Sequence, residues 1–326
     1  MRIVAFLFRR IGDSLLATPA LRAIKDRYPD SELSVVCEPQ VARVFAHNPH
    51  IDNVVTIKRG PSALSLAGAA RRHGKADFLL DFLSDPRSAL ATRLSGAKQR
   101  VGFVRRGMNW VYTRTVPRQE AQHPMYSAQH KLGLVTALGV RAADTATEFY
   151  LTKDDREYAA TAWAERGWSA ETRVAAFFVH SRRDHKRWPL DCFREVLQRM
   201  HEDRLATPLV LITPGDESAV AELRARGDLS EKHMLPVRDL GHLGGVLERC
   251  AVLVGNDGGP KHIAVALGVS TVTIFGPDSP VYWTPADTAI HATIGAEARS
   301  VRASVADVQP HAVYDAVRAM LERDRP

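Results

Sequence analysis

Apolar runs alternate with segments of helical spacing along the whole chain. In the first half, four short runs are typical of buried strands, at 2–8, 32–37, 53–57 and 77–82. Between them, apolar positions at helical spacing predict helices at 15–28, 39–46, 62–73 and 86–95. This alternation predicts a parallel sheet that is covered by helices on both faces.

The same rhythm restarts after about residue 150. Strands are predicted at 173–180, 208–213, 251–255 and 270–275, and helices at 154–167, 189–203, 216–226, 242–249 and 260–267. We therefore expect two doubly wound α/β domains, 1–153 and 154–326. A last helix at 312–324 either closes the second domain or crosses back to the first. Because ligands of such sheets bind beyond the carboxyl ends of the strands, we expect a site in a cleft between the two sheets.

Composition adds few constraints. The chain is 45% hydrophobic and 25% charged, as in ordinary globular proteins. No apolar run approaches the roughly 18 residues of a membrane span, and the first residues lack the apolar centre of a signal peptide. The three cysteines, Cys37, Cys192 and Cys250, form no C-x-x-C pair. We expect a cytoplasmic protein with reduced thiols.

The distribution of charge along the chain says more about possible partners. The net charge is +7, but residues 1–153 hold 23 Lys and Arg against 12 Asp and Glu, whereas residues 154–326 hold 21 against 25. A basic first half predicts an acidic partner. Within it, the stretch "KQRVGFVRRGMNWVYTRTVPR" (98–118) mixes basic and aromatic residues. Such a stretch could bind nucleic acid, hold an anionic glycolipid at a membrane surface, or form a solvated loop.

Residues 12–15 read Gly-Asp-Ser-Leu, the four letters that open the GDSL-type esterases. A catalytic serine needs a base beside it and a third group that orients the base. The segments that resemble the other esterase blocks, Gly255-Asn256-Asp257 and Asp239-x-x-His242, stand in reversed order. We therefore reject an esterase function. Within this segment, Asp13 rather than Ser14 is then the candidate functional residue.

The stretch 251–280 gives the clearest prediction of a ligand site. A strand ends at Gly255, Pro260 suits the first helical position, and Gly268 can end the helix. The helix then directs free N–H groups past flanking glycines, which predicts a phosphate or diphosphate site. Lys261 and His262 add charge or hydrogen bonds there, and Asp257 suits sugar hydroxyls or an N-cap.

These 30 residues resemble the C-terminal signature of glycosyltransferase family 9, the ADP-heptose:lipopolysaccharide heptosyltransferases. The matching parts are Asn256–His262, Ala264–Gly268, Thr271–Ile274 and Phe275–Pro280. The opening "IGDSLLATPALRAIK" (11–25) and the box "HSRRDHKRWPLDCFREVL" (180–197) are similar to two further motifs of this family, in the same order. The resemblance implies a GT-B fold, with two Rossmann-like domains that face a central cleft. It also implies that the first domain binds the acceptor and the second the nucleotide sugar.

The resemblance also implies roles for single residues. Asp13 matches the proposed general base; its alternative is an N-cap of the 15–28 helix. Lys186 matches the lysine on the donor diphosphate. The expected donor-binding residues are Ser181, Arg182, Lys186, Glu217 (at the ribose), Asp257, Gly258, Gly259, Lys261 and His262, and the expected acceptor-binding residues are Gly12, Ser14, Arg105 and Arg106.

Two residues depart from the family pattern. Gly258 stands where Ser or Thr is common, and Lys261 stands where an apolar residue is usual, so the donor sugar is left open. No D-x-D triplet occurs, and we expect neither a metal nor a cofactor beyond the nucleotide-sugar co-substrate.

The preferred function is an inverting transfer of heptose from ADP-heptose to the lipopolysaccharide inner core. The alternatives are transfer of another nucleotide-activated sugar onto a different surface glycan, and a non-catalytic nucleotide- or nucleic-acid-binding protein. The expected partners are the donor, an anionic glycolipid acceptor and the cytoplasmic face of the inner membrane, contacted peripherally, with no nucleic acid. The oligomeric state is left open.

Overall fold

The chain divides into two compact units, Met1–Tyr150 and Leu151–Pro326. The computed structural model describes residues 1–8, 10–118, 123–214, 219, 221–223, 230–276, 278–295 and 304–323. Within these residues, none of the helices has the length and apolar character needed to span a membrane. Each unit is built around one six-stranded sheet in which every pair of neighbouring strands is parallel.

In the first unit the strand order is β3-β2-β1-β4-β5-β6. The strands are β1 (Arg2–Phe6), β2 (Glu32–Cys37), β3 (Asn53–Thr56), β4 (Phe78–Asp81), β5 (Gln99–Phe103) and β6 (Arg114–Val116). The helices are α1 (Ile11–Leu15), α2 (Thr18–Arg27), α3 (Ala42–Phe45), α4 (Ala63–Ala70), α5 (Pro86–Leu94) and α6 (Ser127–Thr136).

Successive strands leave β1 in both directions along this sheet. Because parallel crossovers are right-handed, the helices of the β3–β4 and β4–β5 connections cover the face opposite to those of β1–β2 and β2–β3. Residues of α4 and α5 accordingly share one apolar cluster with Val4, Phe6 and Leu79, whereas α2 packs against α6.

In the second unit the strand order is β12-β11-β10-β7-β8-β9. The strands are β7 (Val174–Phe178), β8 (Thr207–Ile212), β9 (Met234–Pro236), β10 (Val252–Asn256), β11 (Ser270–Phe275) and β12 (His291–Gly295). The helices of the described residues include α7 (Lys153–Glu165), α8 (Leu190–Glu202), α9 (Leu240–Glu248), α10 (Gly259–Ala266), α11 (Pro280–Trp283) and α12 (Pro310–Arg323). The last helix, α12, packs on α8 and on the sheet of its own unit, with Val313 and Val317 fully buried.

The predicted α/β class with parallel sheets is confirmed, and several details differ. The helix expected at 15–28 is α2, which begins only at Thr18 with Pro19 in its first turn, where a missing N–H costs nothing, and the short α1 precedes it. The 98–118 stretch is not a loop throughout, because it contains β5 and β6. Most of the helix expected at 216–226 lies outside the described residues.

Candidate active site

The two central strands β7 and β10 of the second sheet lie side by side where the strand order reverses. Ligands of open α/β sheets bind at such switch points, beyond the carboxyl ends of the strands. The loop after β7 carries Lys186, and the turn after β10 carries Asp257. The fold therefore brings together two residues that are 71 positions apart in the sequence.

Asn256, the last residue of β10, fixes the loop that carries Lys186. Its side-chain oxygen accepts a hydrogen bond from the backbone N–H of Trp188 at 2.9 Å, and its amide nitrogen donates to the carbonyl of Val179 at 3.0 Å. Trp188 is itself buried, and its indole N–H donates to the carbonyl of Val308. Sequence reasoning gave Asn256 no role. A buried amide at the end of an apolar strand was the available signal, because such groups need partners.

Two lysines and two carboxylates form a lysine–carboxylate cluster, made of Lys186, Lys261, Asp257 and Asp278. The Lys186 ammonium lies 2.7 Å from one Asp257 oxygen and 2.6 Å from an Asp278 oxygen. The Lys261 ammonium lies 3.2 Å from the other Asp257 oxygen and donates to the carbonyl of Trp283. The formal charges sum to zero, and Asp278, which sequence reasoning missed, supplies one of them.

Burial and charge set the protonation of this cluster. Burial by itself raises the pKa of Asp257, but the positive charges of Lys261 and Lys186, together with His262, outweigh it and bring the pKa to about 2. Burial lowers the pKa of Lys261 to about 8, against the attraction of Asp257. Burial, reinforced by Lys261, also lowers the pKa of His262 to about 3. At neutral pH both carboxylate and lysine are charged, and His262 offers a hydrogen bond rather than a charge.

The helix α10 begins at Gly259, with Gly258 in the N-cap position and Pro260 in the first turn. No side chain of the described residues caps this helix, so the N-cap alternative for Asp257 is wrong. The first-turn N–H groups remain available to an anion. A Cβ added at Gly258 would lie 3.2 Å from a ring carbon of Phe178. The glycine therefore fits the Phe178 ring, and a Ser or Thr there would require that ring to shift.

The other expected donor-binding residues lie in different surroundings. Ser181 is buried, and its carbonyl accepts a hydrogen bond from the Arg187 guanidinium at 2.9 Å. Arg182 is exposed on the same loop. Glu217 lies outside the described residues.

In the first unit, Asp13 lies in the first turn of α1, the short helix that follows β1. Ala17 holds the N-cap position of α2, the helix found within 15–28, so the N-cap alternative for Asp13 is wrong. The Lys131 ammonium lies 3.7 Å from an Asp13 oxygen, and the lysine side chain is only 11% exposed. Sequence reasoning missed Lys131 because it missed α6.

The four expected acceptor-binding residues lie near the ends of β1 and β5. Gly12 is half-buried in α1. Ser14 is buried, and no described residue forms a hydrogen bond with its hydroxyl. Arg105 is half-buried and Arg106 exposed on the loop after β5.

A buried carboxyl that the sequence did not single out ends β4, next to β1. Asp81 accepts hydrogen bonds from the Tyr112 hydroxyl at 2.8 Å and from the backbone N–H groups of Leu83 and Ser84. Burial raises the pKa of Asp81 to about 6, although these hydrogen bonds oppose the shift. Tyr112 is therefore a buried partner of Asp81, whereas Trp110, two residues earlier, is exposed.

One group of three possible metal ligands lies close together among the described residues: Asp155, Asp239 and His242. Asp155 accepts two hydrogen bonds from Thr152 at the start of α7, and Asp239 caps α9. The Asp239-x-x-His242 segment thus has a structural role in its own unit.

Comparisons with known proteins point to one family. The profile of glycosyltransferase family 9 (heptosyltransferase) matches residues 68–309. Lipopolysaccharide heptosyltransferase 3 of Escherichia coli K12 is 21% identical over 295 residues, which are 84% of this chain and 82% of that protein.

Solved structures are similar over the whole chain. A family 9 glycosyl transferase from Veillonella parvula has a TM-score of 0.88 at 20% identity and covers 99% of this chain and 98% of its own. The E. coli ADP-heptose lps heptosyltransferase II has a TM-score of 0.79 at 18% identity and covers 99% of each chain. The predicted fold class, two Rossmann-like units of the GT-B type, is confirmed.

Proposed function

Because this chain belongs to glycosyltransferase family 9 and is a glycosyltransferase, we propose that it transfers heptose from ADP-heptose to the inner core of lipopolysaccharide. The transfer inverts the anomeric carbon and uses no metal. The observation that carries the proposal is the lysine–carboxylate cluster beside the uncapped start of α10. It offers a preformed cation and free backbone N–H groups, which suit a diphosphate.

On the donor side, Lys186 changes partners when the nucleotide sugar binds. Asp278 is 35% exposed, whereas Asp257 is 7% exposed, so Asp278 is the carboxylate that can move away. The diphosphate then takes its place on Lys186 and reaches the first turn of α10. As the sugar leaves, negative charge grows on the nucleoside diphosphate, and a fixed cation lowers that barrier.

On the acceptor side, Asp13 accepts the proton of the attacking hydroxyl. A carboxylate on a short helix after β1 stands where ligands of such sheets bind. Lys131 positions Asp13 through the 3.7 Å ion pair. Direct attack by the activated hydroxyl on the anomeric carbon then inverts its configuration.

The names of the relatives support the donor and acceptor classes. The E. coli proteins are an ADP-heptose lps heptosyltransferase and a lipopolysaccharide heptosyltransferase. Exposed Arg106 and half-buried Arg105 suit the phosphates or carboxylates of a lipopolysaccharide core. We place the enzyme peripherally at the cytoplasmic face of the inner membrane, with no nucleic-acid partner.

A thermal-shift panel of ADP-, UDP-, GDP- and dTDP-sugars tests the donor. We expect the ADP-sugar to stabilise most, by about 2.7 kcal/mol at a hundredfold excess over Kd. Lys186→Ala should lose this shift, whereas Lys153→Ala, an exposed lysine of the same unit, should keep it. A preference for a non-adenine nucleotide would contradict the donor assignment, and inactivation by a chelator would contradict the metal-free mechanism.

A further inference from the structure

The positive charge of the first unit is concentrated in one stretch of chain. Residues 1–150 hold 22 Lys and Arg against 12 Asp and Glu, and residues 53–118 hold 13 against 3. The stretch 53–118 therefore has a net charge of +10, which equals that of the whole unit. No acidic residue occurs at 53–76 or at 86–118.

The three acidic residues of this stretch are all engaged. Asp77 lies 2.7 Å from the Lys98 ammonium and accepts a hydrogen bond from the backbone N–H of Arg2. Asp81 is buried under Tyr112. Asp85 caps α5. Asp85 also lies 3.6 Å from the Arg87 guanidinium, and neither α4 nor α5 contains an acidic residue of its own.

The same stretch exposes large apolar side chains. Of the seven large apolar residues exposed in the described part of the chain, five lie between 64 and 110. Leu64 is 73% exposed and Trp110 66% exposed, and the set is completed by Leu90, Leu94 and Val104. On α5, Arg87, Leu90 and Leu94 follow one another at helical spacing on the outward side, whereas Ala89 and Ala91 are buried.

Leu64 on α4, Leu90 and Leu94 on α5, and Trp110 share one face of the unit, which we call the α4–α5 face. The helices α4 and α5 lie side by side on the same side of the sheet, and the Arg71 guanidinium at the end of α4 donates to the carbonyls of Leu94 and Ser95 at the end of α5. The Asn109–Val111 turn, which bears Trp110, packs on α5, where Ala89 meets Val111. The acidic residues paired with Arg22 and Lys25 of α2 belong to the other side of the sheet.

From this arrangement we propose that the α4–α5 face docks on the surface of an anionic lipid bilayer. Exposed leucines and a tryptophan insert among the headgroups and upper acyl chains, while the arginines around them meet lipid phosphates. The docking rests on the proposed function only for the choice of membrane, because it needs neither donor nor acceptor.

Nucleic acid is the competing partner for a basic surface. Single strands stack their bases on aromatic side chains, and Trp110 is the exposed aromatic side chain of this face. Exposed Leu64, Leu90 and Leu94, however, contribute nothing to backbone phosphates or base stacking and favour a lipid surface. The exposed apolar side chains therefore favour a lipid bilayer over nucleic acid as the partner of this face.

Co-sedimentation with vesicles tests this docking. The vesicles are made of phosphatidylcholine with about one-third phosphatidylglycerol, or of phosphatidylcholine alone. We expect binding to the anionic vesicles only, weakened by salt, with a blue shift of tryptophan emission that Trp110→Phe abolishes without preventing binding. Trp110 is the only tryptophan of residues 1–150, so the shift reports on this unit.

Surface variants identify the face. Arg72→Gln/Arg93→Gln should weaken binding about thirtyfold, at about fivefold for each charge, and Leu64→Ser/Leu90→Ser should weaken it at any salt concentration. Arg27→Gln/Arg141→Gln removes the same charge on or just after α2 and α6 and serves as the matched control.

Equal losses in the control pair, or unchanged binding in both test pairs, would overturn the assignment. Binding of a short single-stranded oligonucleotide in place of vesicles would assign the face to nucleic acid. Because no donor is present in the vesicle assay, its outcome is independent of the sugar-transfer assays. Transfer to a water-soluble acceptor should be unaffected by the four test substitutions.

Discussion

Replacing Lys261 with methionine removes one charge of the lysine–carboxylate cluster while keeping the length of the side chain. Lys261 is 2% exposed and lies between Asp257, the carbonyl of Trp283 and the ring of Phe275. Methionine fills an irregular apolar space well, so packing should survive. The substitution therefore tests what the charge does.

The pKa values give the size of the stability effect. A folded-state pKa of about 8 for Lys261, against an ordinary 10.5, means that keeping the ammonium at pH 7 costs about 3 kcal/mol. That cost already includes the attraction of Asp257, and the same pair contributes to the low pKa of Asp257. Since Asp257 keeps Lys186, we expect Lys261→Met to cost little or no stability at pH 7, rather than the roughly 3–5 kcal/mol of a broken buried pair.

The pH dependence has a definite sign. Between pH 8 and 10.5 the unfolded chain binds the Lys261 proton more strongly than the folded protein, so stability rises with pH. The wild type should gain about 3 kcal/mol from this residue across that range, and the methionine variant should lack this gain. Denaturant unfolding at pH 7, 8 and 10 measures the difference, with Lys153→Met as the exposed control.

The functional effect should be larger than the effect on stability at pH 7. The formal charge of the cluster falls from zero to −1, and Lys186 becomes the one lysine among the described residues that pairs with Asp257. We expect ADP to bind about tenfold more weakly, as for one lost charge-assisted contact. Calorimetric titration with ADP measures this. A stability loss above about 3 kcal/mol together with unchanged ADP affinity would refute the reasoning and make Lys261 a purely structural ion-pair partner.

Three further substitutions probe single contacts. Asp278→Asn should free Lys186 and tighten ADP binding severalfold by calorimetry; weaker binding would contradict the exchange of partners. Lys131→Met should lower kcat about tenfold through a misplaced Asp13 while the donor Kd stays unchanged; a parallel change in Kd would count against a positioning role. Gly102→Ala should cost about 1–3 kcal/mol in denaturant unfolding, because the added Cβ would lie 2.3 Å from the Tyr112 ring; Gly68→Ala on α4 meets nothing within 4 Å and should not destabilise.

The sequence predicted the central strands because these are continuous apolar runs. It missed β5 and β6, whose segments "QRVGF" and "RTV" carry arginines and are partly exposed. It missed β12 as well, where only His291 of "HATIG" is buried and half-buried positions then alternate with exposed ones at the sheet edge. β6 and β12 are edge strands that keep one side in water, so their apolar signal is weak. β5 lies inside its sheet but begins with the half-buried polar residues Gln99 and Arg100.

Within the site, motif resemblance pointed to Lys186 and Asp257, and the structure joins them in one ion pair. Asp278 and Lys131 escaped notice because pairing between distant residues leaves no local pattern. Lys186 and Asp278 are separated by more than ninety residues and meet only through the order of β7, β10 and β11. Asp81 was hidden for a similar reason, since its partner Tyr112 read as part of an exposed basic stretch.

The most direct test of the proposed function is single-heptose transfer by the wild type and by Asp13→Asn. ADP-heptose and a lipopolysaccharide core acceptor are incubated with each enzyme, and mass spectrometry follows the acceptor while calorimetry follows ADP-heptose affinity. We expect the wild type to add one heptose, and Asp13→Asn to bind the donor with nearly unchanged affinity while turnover falls at least about a hundredfold. Absence of a heptosylated product with the wild type, or undiminished turnover in Asp13→Asn, would contradict the account.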